Sequence, residues 1–347
     1  MKKIIAFIFV SMTLLMLISC SEKDATDWAL SCGDTKISKN AYQAQLVTYK
    51  SEFLLNYLGV TEDNEKYWTQ DSPGGRMETV ADTLLDMTLE DMVQFVWVIE
   101  YAKKNGFTIG EEERAILEED LETLRSGFET DEEYLEYIGK LGLEEADVTE
   151  YVENTLLYDK GFEKLTSEGG LYEVTDETIK NYYSKNFYTV KQIFLNDVNK
   201  LDEEGNAVEL TEEEKSEKTL KAEEILKDLE SGMPFDLYYI MGEDGAAEAY
   251  PNGMTFTKGV TSDVTFEDEV AKMKIGDYKI IRPENGGVYV VARLELDENA
   301  FSDYEEYVYT AVYQSITEDI YRDHSREVEV NEEVIGSFDI KTLPVLG

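Results

Sequence analysis

The sequence predicts an α+β protein in which a mostly helical domain is interrupted by a smaller mixed domain. Apolar stripes at helical spacing occupy residues 28–186, β-rich alternating segments occupy residues 187–296, and one more helical stripe occupies residues 297–347. A single helix cannot bury its apolar stripe alone, so the C-terminal helix is expected to pack on the N-terminal helices. The mixed domain is then an insertion between two parts of one helical domain.

The N-terminus has the layout of an export signal followed by a polar tether. Two lysines precede an apolar run from Ile4 to Leu17, which is shorter than the roughly 20 apolar residues of a membrane-spanning helix. The segment that ends at Cys20 resembles a bacterial lipobox. This resemblance implies that residues 1–19 are removed, that Cys20 carries a lipid, and that residues 20–27 form a tether. The alternative is an ordinary secretory signal with a chance cysteine.

Composition excludes several classes of function. The chain has 75 acidic and 32 basic residues, a formal charge of −43, whereas nucleic-acid binding requires a basic face. His324 is the sole histidine, which argues against a histidine-dependent triad, and Cys32 is the only cysteine besides Cys20. We therefore predict no metal, no cofactor, no internal disulfide and no nucleic-acid partner. An acidic surface also suggests, as a hypothesis, basic or cationic unfolded clients.

Spacing and capping patterns define the helices of the N-terminal part. An apolar stripe predicts a helix over Val80–Ala102, which ends near Lys103–Gly106. Capping boxes at Thr108–Glu111 and Thr130–Glu133 predict two further helices, and a fourth covers Glu144–Leu165. The residues of the two capped helices that are expected to face inward are Ile116, Leu117, Leu121, Leu124, Tyr134, Ile138 and Leu141.

The sequence patterns of the mixed domain predict the element order β-α-α-β-α-β-β. A short helix over Asp176–Asn186 is predicted to precede it. The predicted elements are Tyr188–Leu195, Thr211–Ser231, Phe235–Met241, Gly253–Phe256, Thr265–Met273, Ile275–Ile281 and Gly287–Leu294. Polar or glycine-containing loops are expected over Asn196–Gly205 and Gly242–Asn252, and a hairpin turn over Arg282–Gly286. A last helix from Ser302 carries an apolar stripe, and a final strand over Val328–Val330 follows. The stripe comprises Val308, Val312, Ile316 and Ile320.

A collinear series of short motifs resembles the PrsA-like foldase lipoproteins and the SurA-like periplasmic chaperones. The motifs are Gly33–Tyr42, Tyr101–Glu113, Thr175–Tyr183, Gly232–Phe235, Gly253–Phe256, Phe266–Asp268 and Ile275–Asp277. The resemblance implies a chaperone domain over 28–186, a parvulin-like prolyl isomerase domain over 187–296, and a C-terminal helix over 297–347 that completes the chaperone domain.

The resemblance also implies a pocket that lowers the barrier to rotation about X–Pro bonds, which is about 18–20 kcal/mol. The family pocket uses two histidines, a Cys or Asp, a Met and a Phe. Here Gln192 and Tyr289 stand where the histidines are expected, and the Met position falls near Thr261 or Ser262. These departures predict weak or absent isomerase activity. The pocket equivalents in this chain are Gln192, Asp244, Phe256, Phe266 and Tyr289.

The predicted function is a lipid-anchored chaperone or foldase on the outer face of a bacterial cell membrane. Its expected partners are unfolded or newly secreted proteins and proline-containing peptides, with exposed apolar groups expected over Tyr49–Tyr57 and Tyr67–Trp68. His324 is expected at the surface or at a helix end. One alternative is an active peptidyl-prolyl isomerase. Another is a solute- or surface-binding lipoprotein, which the absence of alternating βα units disfavours.

Overall fold

A computed structural model describes five stretches of the chain: residues 28–72, 79–202, 204–261, 263–284 and 286–346. It is 57% helical and 13% strand, which confirms the α+β class. The predicted signal peptide, Cys20 and Ser262 lie outside the described residues, as does Asn285 in the predicted hairpin turn. Among the described residues, no helix combines the length and apolar content that crossing a membrane requires.

The chain divides into two compact units. The discontinuous unit comprises the described residues up to Thr175 and from Thr310 onward, and the inserted unit comprises Asp176–Tyr309. The predicted mixed domain, 187–296, lies within the inserted unit. That unit extends further on both sides because Tyr183 and Tyr304 pack on Phe187, with ring centroids 4.7 and 5.0 Å from its ring.

Within residues 28–72 and 79–175, the first part of the discontinuous unit shows a β-hairpin followed by six helices. These elements are β1 Trp28–Cys32, β2 Thr35–Ser38, α1 Lys39–Glu52, α2 Glu65–Trp68, α3 Val80–Lys104, α4 Glu111–Ser126, α5 Asp131–Lys140 and α6 Glu145–Thr166. A turn of π-helix, Phe53–Tyr57, extends α1. Thr79 caps α3. Thr130 caps α5, as the sequence predicts.

Helix α4 departs from its prediction. It begins at Glu111 after Gly110, whose N–H donates to Glu113, and the predicted cap at Thr108 is therefore wrong. Of its four residues expected to face inward, Leu117 is buried, whereas Ile116 is 41% exposed. The corresponding prediction for α5 is confirmed, since the three residues at its inward positions are buried, namely Tyr134, Ile138 and Leu141.

The inserted unit contains the predicted elements and a few more. They are α7 Asp176–Asn186, β3 Phe187–Leu195, β4 Asn199–Leu201, β5 Ala207–Glu209, α8 Glu212–Glu230, α9 Asp236–Tyr239, α10 Ala246–Ala249, β6 Met254–Thr257, α11 Val264–Lys272, β7 Tyr278–Ile281 and β8 Val288–Leu294. The small β4–β5 ladder occupies the predicted loop Asn196–Gly205 and continues beyond it, and α10 lies in the predicted loop Gly242–Asn252.

The main sheet of the inserted unit is antiparallel, in the order β6-β3-β8-β7. Helix α8 covers one face, where its buried Ile225 and Leu229 pack with Ile193 and Val290. Helix α11 covers the other face. The buried residues of that second cluster are Val190, Phe256, Phe266, Val270, Ile281 and Val291. Because strand side chains alternate between faces, Gln192 lies on the α11 side with Val190.

The C-terminal segment returns to the discontinuous unit. It comprises α12 Phe301–His324, β9 Glu329–Val330 and α13 Glu332–Ile335. The predicted stripe of α12 is confirmed as buried, namely Val308, Val312, Ile316 and Ile320. Strand β9 pairs with β1, with Val330 opposite Leu30, so the predicted final strand is confirmed over two residues. The N–H of Asn331 also donates to the carbonyl of Ala29 at 2.9 Å.

Candidate functional site

The sheet face that α11 covers brings together aromatic side chains from four elements. The rings of Phe266 and Tyr289 have centroids 5.3 Å apart, and those of Phe256 and Phe266 are 5.9 Å apart. Phe194 lies directly opposite Tyr289 in the β3–β8 ladder, with a ring distance of 4.8 Å. We call this surface the aromatic face, and its members are Tyr188, Phe194, Phe256, Phe266 and Tyr289.

Burial within the aromatic face is graded. Phe256 and Phe266 are 2% and 5% exposed and form its base, whereas Tyr188, Phe194 and Tyr289 are only half-buried. The base therefore supports a partly open layer of three rings. Aromatic rings of this kind offer a large apolar surface together with a polar tip on each tyrosine.

Gly287 permits the position of the Phe194 ring. Its φ is +91°, a conformation that glycine adopts easily, and an added Cβ would lie 2.2 Å from Cε2 of Phe194. The N–H of Gly287 donates to Oδ1 of Asp197 at 2.5 Å, which fixes the start of β8. A side chain at position 287 would displace the ring, so this glycine shapes the aromatic face.

Two of the predicted pocket residues, Gln192 and Asp244, are joined by a hydrogen bond. The Gln192 Nε2 donates to Oδ2 of Asp244 at 2.8 Å. The other oxygen of Asp244 accepts from the N–H of Ala246 at 3.1 Å, and the neighbouring Glu243 N–H donates to the carbonyl of Phe194 at 2.9 Å. The structure thus brings together all five predicted residues, although Asp244 itself is exposed.

Glu267 is a site residue that the sequence did not single out. It is 2% exposed, and its carboxylate accepts from the backbone N–H groups of Gly259 and Thr261, each at 2.7 Å. These bonds hold the loop between β6 and α11, where the family methionine was expected. Burial raises the pKa of Glu267, but the backbone donors outweigh burial and hold the pKa below its ordinary value. In the sequence, Glu267 is a glutamate in the first turn of a helix. Such glutamates are too common for the sequence to distinguish this one.

Asp263 caps α11 at the other end of the same loop. Its Oδ1 accepts from the N–H of Phe266 at 2.8 Å, which places a carboxylate next to the base of the aromatic face. Burial, and then the charges of Asp244 and Asp263, raise the pKa of the Tyr289 phenol. Tyr289 therefore stays protonated at neutral pH and can donate a hydrogen bond.

Exposed apolar side chains accompany the two segments that hold Asp244 and Asp263. Ile240 is 80% exposed and Val264 is 70% exposed, although both are β-branched aliphatic residues. We call this set the apolar rim, and its members are Leu237, Ile240, Met241, Val260 and Val264. Apolar groups that stay exposed close together in the chain are typical of an interaction surface.

The chemistry of this site favours binding. Rings and aliphatic groups can hold a proline or another apolar side chain, and the Tyr289 hydroxyl can bind a peptide carbonyl. The amide of Gln192 has no acid–base function, and Tyr289 holds its proton. No histidine lies in the site, because the sole histidine of the chain, His324, ends α12 in the discontinuous unit.

His324 instead has a packing role. Its ring stacks on Trp97 with a centroid distance of 3.8 Å, and its Nδ1 lies 2.6 Å from an oxygen of Glu327. This agrees with the prediction of a helix-end residue. Cys32 is buried in β1, where burial raises the pKa of its thiol.

The predicted exposed surface of the discontinuous unit is only partly present. Leu55 and Tyr57 are 58% and 60% exposed, but Trp68 is fully buried and donates to Asp63 at 2.6 Å. The prediction for Trp68 is therefore wrong, because Asp63 satisfies its N–H inside the fold. A cleft of about 320 Å³ also lies in this unit, lined by Trp68, Thr69, Thr79, Ala81, Asp82, Leu85, Phe338, Asp339, Ile340 and Lys341.

No family model matches the sequence, and no curated protein matches it. Several solved structures of PrsA proteins are similar to it. The peptidylprolyl isomerase PrsA from Bacillus cereus is 15% identical with a TM-score of 0.36, and the match covers 90% of this chain and 96% of that chain. PrsA from Bacillus anthracis is 16% identical with a TM-score of 0.29, over 71% and 97% of the two chains. The foldase protein PrsA from Lactococcus lactis is 15% identical with a TM-score of 0.23, over 89% and 97%.

Proposed function

We propose that the protein is a chaperone that holds unfolded polypeptides, and that its inserted unit binds proline-containing segments with weak or no isomerase activity. The observation that carries this proposal is the aromatic face, where half-buried Tyr188, Phe194 and Tyr289 cover two buried phenylalanines. Such a surface offers binding energy through apolar contact.

The apolar rim supports a holding function. An unfolded chain presents aliphatic and aromatic side chains, and exposed Ile240, Val264 and their neighbours offer matching surface. In the discontinuous unit, Leu55 and Tyr57 offer a second exposed apolar pair. We assign residues 28–186 and 297–347 to the chaperone domain and residues 187–296 to a parvulin-like domain, following the motif series of the sequence.

Weak catalysis is proposed because both family histidines are replaced. Gln192 is committed to Asp244 through its amide, and Tyr289 keeps its proton. Catalysis of rotation about a peptide bond requires preorganised groups that favour the twisted amide over the planar one. A face that binds planar and twisted amides equally well would hold proline without speeding its rotation.

We also propose that Cys20 carries the lipid that anchors the protein outside the cell membrane. The test is metabolic labelling with a radioactive fatty acid in a bacterial host. We expect label on the wild type and none on Cys20→Ala, with Cys32→Ala labelled like the wild type. Label that persists in Cys20→Ala would contradict this anchoring.

One paired assay tests the chaperone proposal. The purified protein is added to an unfolded client to measure suppression of aggregation, and to a short Ala-Pro peptide to measure isomerisation. We expect suppression together with isomerisation that is at least a hundredfold below that of an active parvulin. Isomerisation at the active level that falls in Phe266→Ala would instead support the alternative of an active isomerase.

A further inference from the structure

We propose that the aromatic face selects segments with a lysine or arginine next to proline, and that Asp244 and Asp263 supply this selectivity. The inference rests on the proposed function, because the same face would hold the peptide.

The two carboxylates reach the aromatic face from different elements. Asp244 is fixed by its bond to Gln192 of β3, and Asp263 is fixed at the start of α11 by its bond to the N–H of Phe266. The Phe266 ring in turn packs on Tyr289. A peptide that lies on Tyr289 would therefore meet one carboxylate on the β3 side and one on the α11 side.

Both carboxylates keep their charge available to a ligand. Their hydrogen-bond donors are neutral, namely the Gln192 amide and backbone N–H groups, and within the described part of the chain neither forms an ion pair. Neighbouring lysines are already engaged, because Lys191 pairs with Asp236 and Lys258 pairs with Asp268.

Two cations of the described residues lie on this face, and both are committed inside the fold. Lys279, opposite Val291 in the β7–β8 ladder, pairs with Glu269 of α11. Arg293 is 9% exposed, its guanidinium lies 4.8 Å from the centroid of the Tyr188 ring, and its Nη1 donates to the carbonyl of Thr189 at 3.0 Å. It is therefore less available to a peptide than the exposed Asp244. The accessible charges next to Tyr289 are negative.

A cationic side chain of a bound peptide would gain from this arrangement in two ways. It would be attracted to both carboxylates, and it could lie over the half-buried ring of Tyr289. A glutamate at the same place would be repelled. Because the carboxylates are near the surface, salt should weaken the preference. The pKa of Tyr289, which burial and these same two charges raise, is consistent with their proximity.

The experiment measures binding of three fluorescein-labelled peptides to the whole protein by anisotropy. The peptides differ only in the residue before proline, which is Lys, Ala or Glu. We expect the Lys peptide to bind about tenfold more tightly than the Glu peptide in low salt, with a smaller ratio in 0.5 M salt. The variant D244N/D263N should bring the ratio close to one, because it removes both charges, while the asparagine at position 263 keeps the helix cap and the one at position 244 keeps one acceptor oxygen.

A matched control removes two charges from the opposite side of the sheet. Glu213 and Glu217 are exposed on α8, and E213Q/E217Q should keep the wild-type preference. Equal binding of Lys and Glu peptides by the wild type, or a preference that survives in D244N/D263N, would overturn the inference and leave peptide binding intact. If the Ala-Pro peptide and the other two all fail to bind, both the inference and the proposed binding face are overturned.

Discussion

At the residue scale, Glu267 holds the loop beside the aromatic face through two backbone hydrogen bonds. We predict that Glu267→Gln lowers the free energy of unfolding of the inserted unit by about 1–3 kcal/mol, because an amide leaves one buried N–H without an acceptor. Urea denaturation followed by circular dichroism measures this. Glu248→Gln, at an exposed position of the same unit, serves as the control and should change stability by less than about 0.5 kcal/mol.

The pH dependence of Glu267 has a definite sign. Its pKa in the folded state lies below the ordinary value of 4.5, so its contribution to stability is present above that value. The contribution is lost as pH falls through the folded pKa. The difference in unfolding free energy between wild type and Glu267→Gln should therefore shrink in strong acid, and a constant difference would contradict this role.

A second prediction concerns a variant with histidine at positions 192 and 289, where the resemblance leads us to expect histidines. Both side chains lie on the aromatic face, near Phe194 and Phe266. We expect Q192H/Y289H to raise the rate of prolyl isomerisation at least tenfold over the wild type, because the missing histidines are the main departure from the resembled pocket. A peptide assay measures the rate, with Q192A/Y289A as control. Equal rates in both variants would show that this face is not a degenerate isomerase pocket.

Some residues of the candidate site could be predicted from the sequence more readily than others. Gln192, Tyr289, Phe256 and Phe266 stand in strands and a helix whose patterns fix their positions, so their convergence could be expected. Asp244 lies in a loop where alignment is uncertain by a residue or two, and the structure places it through its bond to Gln192. Glu267 could not be found, because only the folded loop reveals its two backbone donors.

At the element scale, Lys50 of α1 ties the C-terminal tail to the discontinuous unit. Its side chain is fully buried, pairs with Asp63, donates to the carbonyl of Leu343 at 2.6 Å and lies 5.2 Å from the centroid of the Trp68 ring. A buried charge that keeps all its partners is costly to disrupt, because removal of one partner leaves the other charge unpaired.

We predict that Lys50→Met destabilises the discontinuous unit by about 2–4 kcal/mol and loosens the tail. Thermal unfolding measures the first effect, and limited proteolysis near Leu343 measures the second. Lys66→Met, which removes an exposed lysine from α2, is the matched control and should change neither. Unchanged tail cleavage in Lys50→Met would contradict the clamp.

Helix α6 carries two carboxylates that burial disfavours as anions. Burial and then Glu153 and Asp147 raise the pKa of Glu150 to about 8, and burial and then Asp120 raise the pKa of Asp159 to about 7. One oxygen of each is buried without a hydrogen-bond partner among the described residues. In the folded state these groups retain protons that the unfolded chain releases.

It follows that stability falls as pH rises from about 5 to about 8, because the unfolded state binds fewer protons over this range. We predict that E150Q/D159N flattens this dependence and stabilises the protein at pH 8 by about 1–2 kcal/mol, after allowance for solvent screening. Chemical denaturation at pH 5 and pH 8 measures it. The control is Glu168→Gln, at an exposed position after α6, which should keep the wild-type dependence of unfolding free energy on pH. A wild type that is equally stable at both pH values would contradict the prediction.

Elements with strong apolar spacing could be predicted, and those without it could not. The stripe of α12 and the alternation of β3 gave bounds within a few residues. The ladder of β4 and β5 was missed because its residues are largely exposed and show no alternation. The cap of α4 was misplaced because three consecutive glutamates, 111–113, allow two registers of the same capping pattern.

At the scale of the whole molecule, the discontinuous unit is one compact unit although it is built from two separate parts of the sequence. Strand β9 pairs with β1 across almost the entire chain, and Phe338 stacks on Tyr42 at 5.6 Å. The sequence indicated this return only through the unpartnered stripe of the last helix. The hydrogen bond of Lys50 to the carbonyl of Leu343 joins distant parts of the sequence and could not be predicted from local patterns.

The central claim is that unfolded polypeptide binds the aromatic face and the apolar rim. The most direct measurement places a photo-crosslinking amino acid at Val264 of the rim, in the first turn of α11, and separately at Glu213 of α8, which covers the opposite face of the sheet, and adds an unfolded client. We predict strong crosslinking from position 264, little from position 213, and loss of the signal when the client is folded. Equal crosslinking at both positions, or none at position 264 while aggregation is still suppressed, would contradict the claim.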